Sequence, residues 1–116
     1  MNTDNNKKLL KVYMSSTDKY EHEPLYEVLA RKAKACGVAG VTVSRGIMGY
    51  GTSSELISPS FWEITEKVPV VLEAIDTASM IETYKEAILP IAQAQPKGCL
   101  ITEQPVDVVM CKKGGE

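Results

Sequence analysis

The chain has 116 residues, 44% of them apolar, and sets 13 Lys and Arg against 15 Asp and Glu for a formal net charge of −2. That length suits one compact core and is short for two, and the charge balance excludes a basic field able to hold nucleic acid through its phosphates. No segment approaches the roughly 20 uninterrupted apolar residues that cross a bilayer, and the polar start Met-Asn-Thr-Asp-Asn-Asn is unlike a secretory signal, so the expectation is a cytoplasmic protein without membrane insertion.

Residues 1–7 offer no apolar side chain after Met1 and predict a loose tail. Residues 9–14 then alternate, with Leu10, Val12 and Met14 on one face and Leu9, Lys11 and Tyr13 on the other, as a strand does. A polar connection leads to Pro24, which fits the first helical position because its missing N–H has no partner there. Leu25, Val28, Leu29, Ala33 and Cys36 follow at helical spacing, and Gly37 marks the stop. Glu23 and Glu27 near the start and Arg31, Lys32 and Lys34 near the end suit the peptide dipoles.

A second strand is expected over residues 41–45, then a loop over residues 46–60 rich in Gly, Ser and Thr. A short strand is expected from Phe61, and a stronger one over residues 68–75, with Pro69 at its start. Ser79 and Glu82 match a Ser-x-x-Glu capping box for a second helix whose inner stripe is Ile81, Tyr84, Ile88 and Ile91. Pro90 should kink or end that helix near Leu89. A last strand begins after Gly98, breaks at Pro105 and resumes over residues 106–110. The domain therefore spans residues 8–111, between the tail at 1–7 and a second tail at 112–116.

Strand, helix, strand, strand, helix, strand is the βαββαβ order of a ferredoxin-like α+β domain: an antiparallel four-stranded sheet with two helices on one face. The other face would carry Leu9 with Tyr13 and Val71 with Ile75, too apolar for a lone chain, which predicts self-association over it.

Chemistry concentrates where the second strand runs into Arg45 and the glycines at 46, 49 and 51. Without a Cβ these residues reach positive φ and can turn backbone N–H groups onto an anion, to which Arg45 adds charge; a flexible connection between strands is the plainer reading of the same glycines. The order Gly-x-x-Gly-x-Gly is neither a dinucleotide fingerprint nor a Walker A loop. Lys19 and Lys97 are further cations within reach of such an anion, and each is equally a solvated surface charge. Glu73, within an apolar strand, suits a ribose hydroxyl or adenine amino group, or else pairs with a neighbouring lysine.

For catalysis there is little. His22, between Glu21 and Glu23, is the one histidine, no Gly-x-Ser-x-Gly is present, and Cys36, Cys99 and Cys111 lack zinc-site spacing, so neither catalytic nor metal residues are assigned. The central strands also lack the aromatic pairs on which RNA bases stack.

The segments Leu9-Leu-Lys-Val-Tyr, Pro24-Leu-Tyr-Glu, Gly40-Val-Thr-Val-Ser-Arg-Gly-Ile-Met-Gly-Tyr-Gly51 and Val68-Pro-Val-Val-Leu-Glu-Ala-Ile-Asp76 resemble the PII-like signalling protein family, distant relatives of nitrogen-regulatory PII, over residues 8–110. The resemblance implies a ferredoxin-like homotrimer that holds an adenine nucleotide (AMP, ADP or ATP) as effector in clefts between subunits, and signals through a mobile loop to a regulated protein such as a transporter or enzyme. It implies no catalytic turnover. On this chain Gly40, Thr42 and the Gly49-Tyr50-Gly51 turn match the strand start and loop base. With Arg45, Gly46, Glu73, Lys97 and Gly98 they form the candidate nucleotide-binding set. Two features differ from PII: the second phosphate loop is reduced to Gln95-Pro-Lys-Gly98, and only Lys112 and Lys113 stand where PII supplies C-terminal arginines. The alternative function is a small phosphohydrolase or nucleotide-processing enzyme using the same anion-binding loop.

Overall fold

The computed structural model describes residues 6–49 and 67–114. The expected strand at Phe61 and most of the 46–60 loop, including Tyr50 and Gly51, lie outside the described residues.

The first strand, β1, runs Lys7–Ser15, so it takes in the last residue of the expected tail. A turn leads to two short paired strands, β2 (Lys19–Tyr20) and β3 (Glu23–Pro24), joined through Glu21 and His22. Both joining residues are left-handed, at φ 51° and 72°, the twist that a two-residue hairpin requires. Helix α1 spans Leu25–Cys36, with Pro24 as its cap rather than its first residue. Asp18 O takes the Leu25 N–H at 2.8 Å, satisfying one of the donors that a helix start leaves over. At the other end Gly37 adopts φ 100° while its N–H and that of Val38 reach back to Ala33 O.

Strand β4 covers Val41–Arg45 and β5 covers Pro69–Thr77. Helix α2 spans Ala78–Gln93 and β6 spans Leu100–Val106. The sheet order is β4-β5-β1-β6, every pairing antiparallel, and this is the ferredoxin-like arrangement the element order implied. Leu10, Val12, Met14, Val70, Leu72 and Ala74 turn to one face and close a core with Leu25, Leu29 and Ala33 of α1 and Ile81, Tyr84, Ile88 and Ile91 of α2. The Tyr84 hydroxyl donates to Leu29 O at 2.7 Å and so ties the two helices.

Three local expectations give way to tertiary context. Thr77, the last extended residue of β5, caps α2 by accepting the Met80 N–H at 3.2 Å; Ser79 already lies inside the helix, so the Ser79–Glu82 box does not form. Helix α2 continues through Pro90 to Gln93. Pro90 and Glu86 are both exposed, so water can reach the carbonyl that proline leaves without a donor. Strand β6 likewise passes through Pro105, because an edge strand does not need every N–H. It ends at Val106, and residues 107–110 form no strand.

Candidate functional site

Strand alternation sorts the candidate residues before any chemistry does. On β4, Thr42 and Ser44 point to the sheet face without helices, whereas Val41, Val43 and Arg45 point to the helix side, because their partners on β5 are Ala74, Leu72 and Val70 of the core. Thr42 and Arg45 thus serve opposite faces of one edge strand. On the open face the register aligns a polar row of Thr42, Glu73, Lys11 and Thr102, flanked by an apolar row of Val71, Tyr13 and Leu100. Lys11 and Glu73 form an ion pair at 3.8 Å, with side chains 30% and 45% exposed. Glu73 therefore has a lysine neighbour and an open side, next to Thr42.

The structure gives the glycines a different reason from the expected one. Gly37 is the one glycine with positive φ among the described residues. Gly46 keeps an ordinary φ and donates its N–H to Pro69 O at 2.7 Å, so that amide is not turned outward to an anion. A Cβ at position 46 would sit 2.8 Å from Pro69 Cγ, so glycine is required here for close approach of two chain segments. Gly49 lies nearby, where an added Cβ would meet Pro69 Cγ at an ordinary 3.6 Å. Arg45 is exposed and makes no ion pair among the described residues.

Gly40 opens β4 at the opposite end, exposed, and a Cβ placed there would meet nothing within 4 Å. On its helix side a groove of about 280 Å³ is lined by Ala30, Ala33, Lys34, Val38, Gly40 and Val41. Lys97 and Gly98 are exposed in the connection before β6. Leu100 pairs with Tyr13, Tyr13 with Val71 and Val71 with Ser44, so this connection lies at the Arg45 end of the sheet. It lies on the other edge, however: three strand spacings of about 4.8 Å put roughly 14 Å between the two edges. One chain brings together Gly40, Thr42 and Glu73 at one place and Arg45, Gly46 and Gly49 at another, and leaves Lys97 and Gly98 apart from both.

Two residues escaped the sequence reading. Lys11 could have been found from its place on the polar side of β1, but its pairing with Glu73 needs the register. Asp76, given no site role from the sequence, accepts the Ala39 N–H at 2.9 Å and the Thr77 N–H at 2.7 Å. Burial, with the Asp18 carboxylate nearby, pushes the Cys99 thiol up, which disfavours the nucleophilic thiolate. Among the described residues no group of three or more His, Cys, Asp and Glu could hold a metal ion, and no helix is long and apolar enough to cross a membrane.

Comparison with known proteins places this geometry. The structure of CPII from Thiomonas intermedia K12, bound to ADP and bicarbonate, superposes with a TM-score of 0.61 at 14% identity, covering 88% of this chain and 89% of that one. A second CPII structure, of a nitrogen regulatory PII-like protein bound to ADP, AMP and bicarbonate, gives 0.62 with the same identity and coverage. The fold is PII-like. In sequence, a UPF0166 protein of Aquifex aeolicus (strain VF5) is 35% identical over 103 residues, 89% of this chain and 93% of its own length. The UPF0166 protein MJ1524 of Methanocaldococcus jannaschii is 32% identical over 83 residues, 72% of each. The model of the DUF190 family, described as "Uncharacterized ACR", matches residues 7–108, and the chain belongs to that family.

Proposed function

We propose that this protein is a PII-like regulator: a ring of three copies that binds an adenine nucleotide in the clefts between subunits and reports its state through the segment after β4 to a regulated protein, a transporter or an enzyme, in the cytoplasm. The observation that carries this reading is the separation of the candidate residues. Arg45 and Gly46 stand at one edge of the sheet and Lys97 and Gly98 at the other, at the same end. When the β4 edge of one copy meets the β6 edge of the next, the two halves form one anion site. A contact between unlike edges is head-to-tail, and such contacts make a ring when the rotation from copy to copy closes.

Two further observations support it. The open face exposes Tyr13, Ile75 and Leu100, and the segment after β6 exposes Val109 and Met110, at 98% and 74%; apolar surface of this kind suits a neighbouring copy. In the CPII structures, which share the fold, ADP is bound. On this reading Thr42 and Glu73 hydrogen-bond the adenosine part, Gly40 lets backbone approach it, and Arg45 with Gly49, Tyr50, Gly51, Lys97 and Gly98 receives the phosphates, while Gly46, its N–H held by Pro69 O, only lets the two segments meet. No residue is given a catalytic role.

Calorimetric titration with AMP, ADP and ATP, with chromatography of the ligand afterwards, tests the proposal. Saturable binding without turnover is expected. Arg45→Ala should weaken phosphorylated ligands about tenfold or more, since a hydrogen bond to a charged group contributes roughly 1.5–3 kcal/mol. Steady product release would replace the regulator by a phosphohydrolase, and absence of binding by all three nucleotides would end the nucleotide reading.

A further inference from the structure

The ladder between β4 and β5 has its last pair at Val41 and Ala74. Two residues further out, the same register sets Ala39 opposite Asp76, and there the Asp76 carboxylate accepts the Ala39 N–H at 2.9 Å, in the role of a backbone carbonyl. Its other oxygen takes the N–H of Thr77 at 2.7 Å, and Thr77 in turn caps α2 through the Met80 N–H. Ala78 N–H, one residue on, donates to Asn6 O at 2.9 Å. The carboxylate is thus anchored at a helix start, and it reaches across 37 positions of sequence to Ala39, which is exposed.

What it holds is the approach to Gly40. On one side of this glycine the backbone is clamped by Asp76 at Ala39, and on the other by the ladder at Val41; the glycine itself faces open space. Thr42, with Glu73 opposite, comes two residues later. From this we infer that Asp76 is a positioning residue for the Gly40–Thr42 end of the nucleotide cleft: it touches no ligand, and it fixes the direction of the Gly40 backbone so that Gly40 and Thr42 address one ligand together. The inference rests on the nucleotide reading above. Val38 is held by the core and by Ala33 O, so without the clamp it is the Ala39–Gly40 backbone that loosens, and the ligand must order it on binding, which weakens affinity.

The test is ADP titration of the whole chain well below its melting temperature, beside amide hydrogen exchange at Ala39. Asp76→Ala should weaken ADP about tenfold and speed exchange at Ala39, while Asp76→Asn, whose one amide oxygen can serve only one of the two N–H groups, should lose part of that affinity. Ala39→Pro removes the donor, leaves Asp76 in place and should reproduce the loss; it serves also if Asp76→Ala does not fold. An unchanged dissociation constant in a folded Asp76→Ala or Ala39→Pro chain, with faster exchange at the connection in Asp76→Ala, would show a purely structural clamp and overturn the inference while leaving nucleotide binding intact. Failure of the parent protein to bind ADP, AMP or ATP would instead remove the nucleotide reading, and this inference with it.

Discussion

On the helix side of the sheet Leu10 and Val12 of β1 and Leu72 and Ala74 of β5 are at most 1% exposed, whereas on the opposite face Tyr13 of β1, Ile75 of β5 and Leu100 of β6 stand at 38%, 43% and 57%. The first set is enclosed entirely by α1 and α2, elements of the same chain. The second has the pleat and the apolar side chains of a core face but, among the described residues, no helix laid over it, and a row of Thr42, Glu73, Lys11 and Thr102 crosses its middle. A face that is part apolar and part hydrogen-bonding suits contact with another copy and with a polar ligand at its edge better than it suits bulk water. Folding is completed on one side of the sheet; on our reading, the contact between copies and the adenosine contacts of Thr42 and Glu73 belong to the other.

The sharpest way to break this contrast is to cut the enclosed side. Leu72→Ala should destabilise the chain by about 3 kcal/mol in denaturant unfolding, because the Leu72 side chain is fully buried. A loss under about 1 kcal/mol would mean the helix-covered core is much looser than its burial implies. On the open side, Tyr13→Lys is expected to preserve the far-ultraviolet circular dichroism while lowering the mass in light scattering from three copies to one. A chain that unfolds instead would place Tyr13 in the core, and an unchanged mass would remove the open face from the assembly.

Smaller effects sharpen the boundary between the two sides. Tyr84→Phe deletes the hydroxyl bond to Leu29 O and should cost about 1 kcal/mol at neutral pH. Burial holds the Tyr84 hydroxyl far above its ordinary value of 10.0. Because the folded value is the higher one, its contribution is complete below pH 10 and is lost as pH rises beyond, so the variant should show a flatter alkaline limb. The smallest effect belongs to the exposed network of Lys8, Glu82, Lys85 and Glu103. Lys85 holds the Glu103 carboxyl below its ordinary value of 4.5, so that contribution is present above pH 4.5 and fades as pH falls. Glu103→Gln should change neutral stability by less than about 0.5 kcal/mol and flatten the acid limb, as measured by melting temperature against pH.

Much of the framework was legible locally. Alternation in β1 named Leu10, Val12 and Met14 as the inward set, helical spacing named the buried stripe of α2, and Gly37 marked the end of α1, where it has φ 100°. The prolines were harder: at 90 and 105 their effect depends on whether the missing N–H falls on an exposed helix face or a sheet edge. The candidate site was legible mainly as a set of residue types. That Thr42 and Arg45 serve opposite faces follows from strand parity alone, yet which face is covered does not.

The sequence by itself determined the periodic elements and their order, because a strand or a helix is written in neighbours two or four residues apart. Tertiary structure decided the rest: the register that sets Lys11 beside Glu73, the contact of Gly46 with Pro69, and the grip of Asp76 on Ala39. Each of these joins residues more than 20 positions apart, so each depends on how the strands align and on what lies across from them, and no local pattern carries that information.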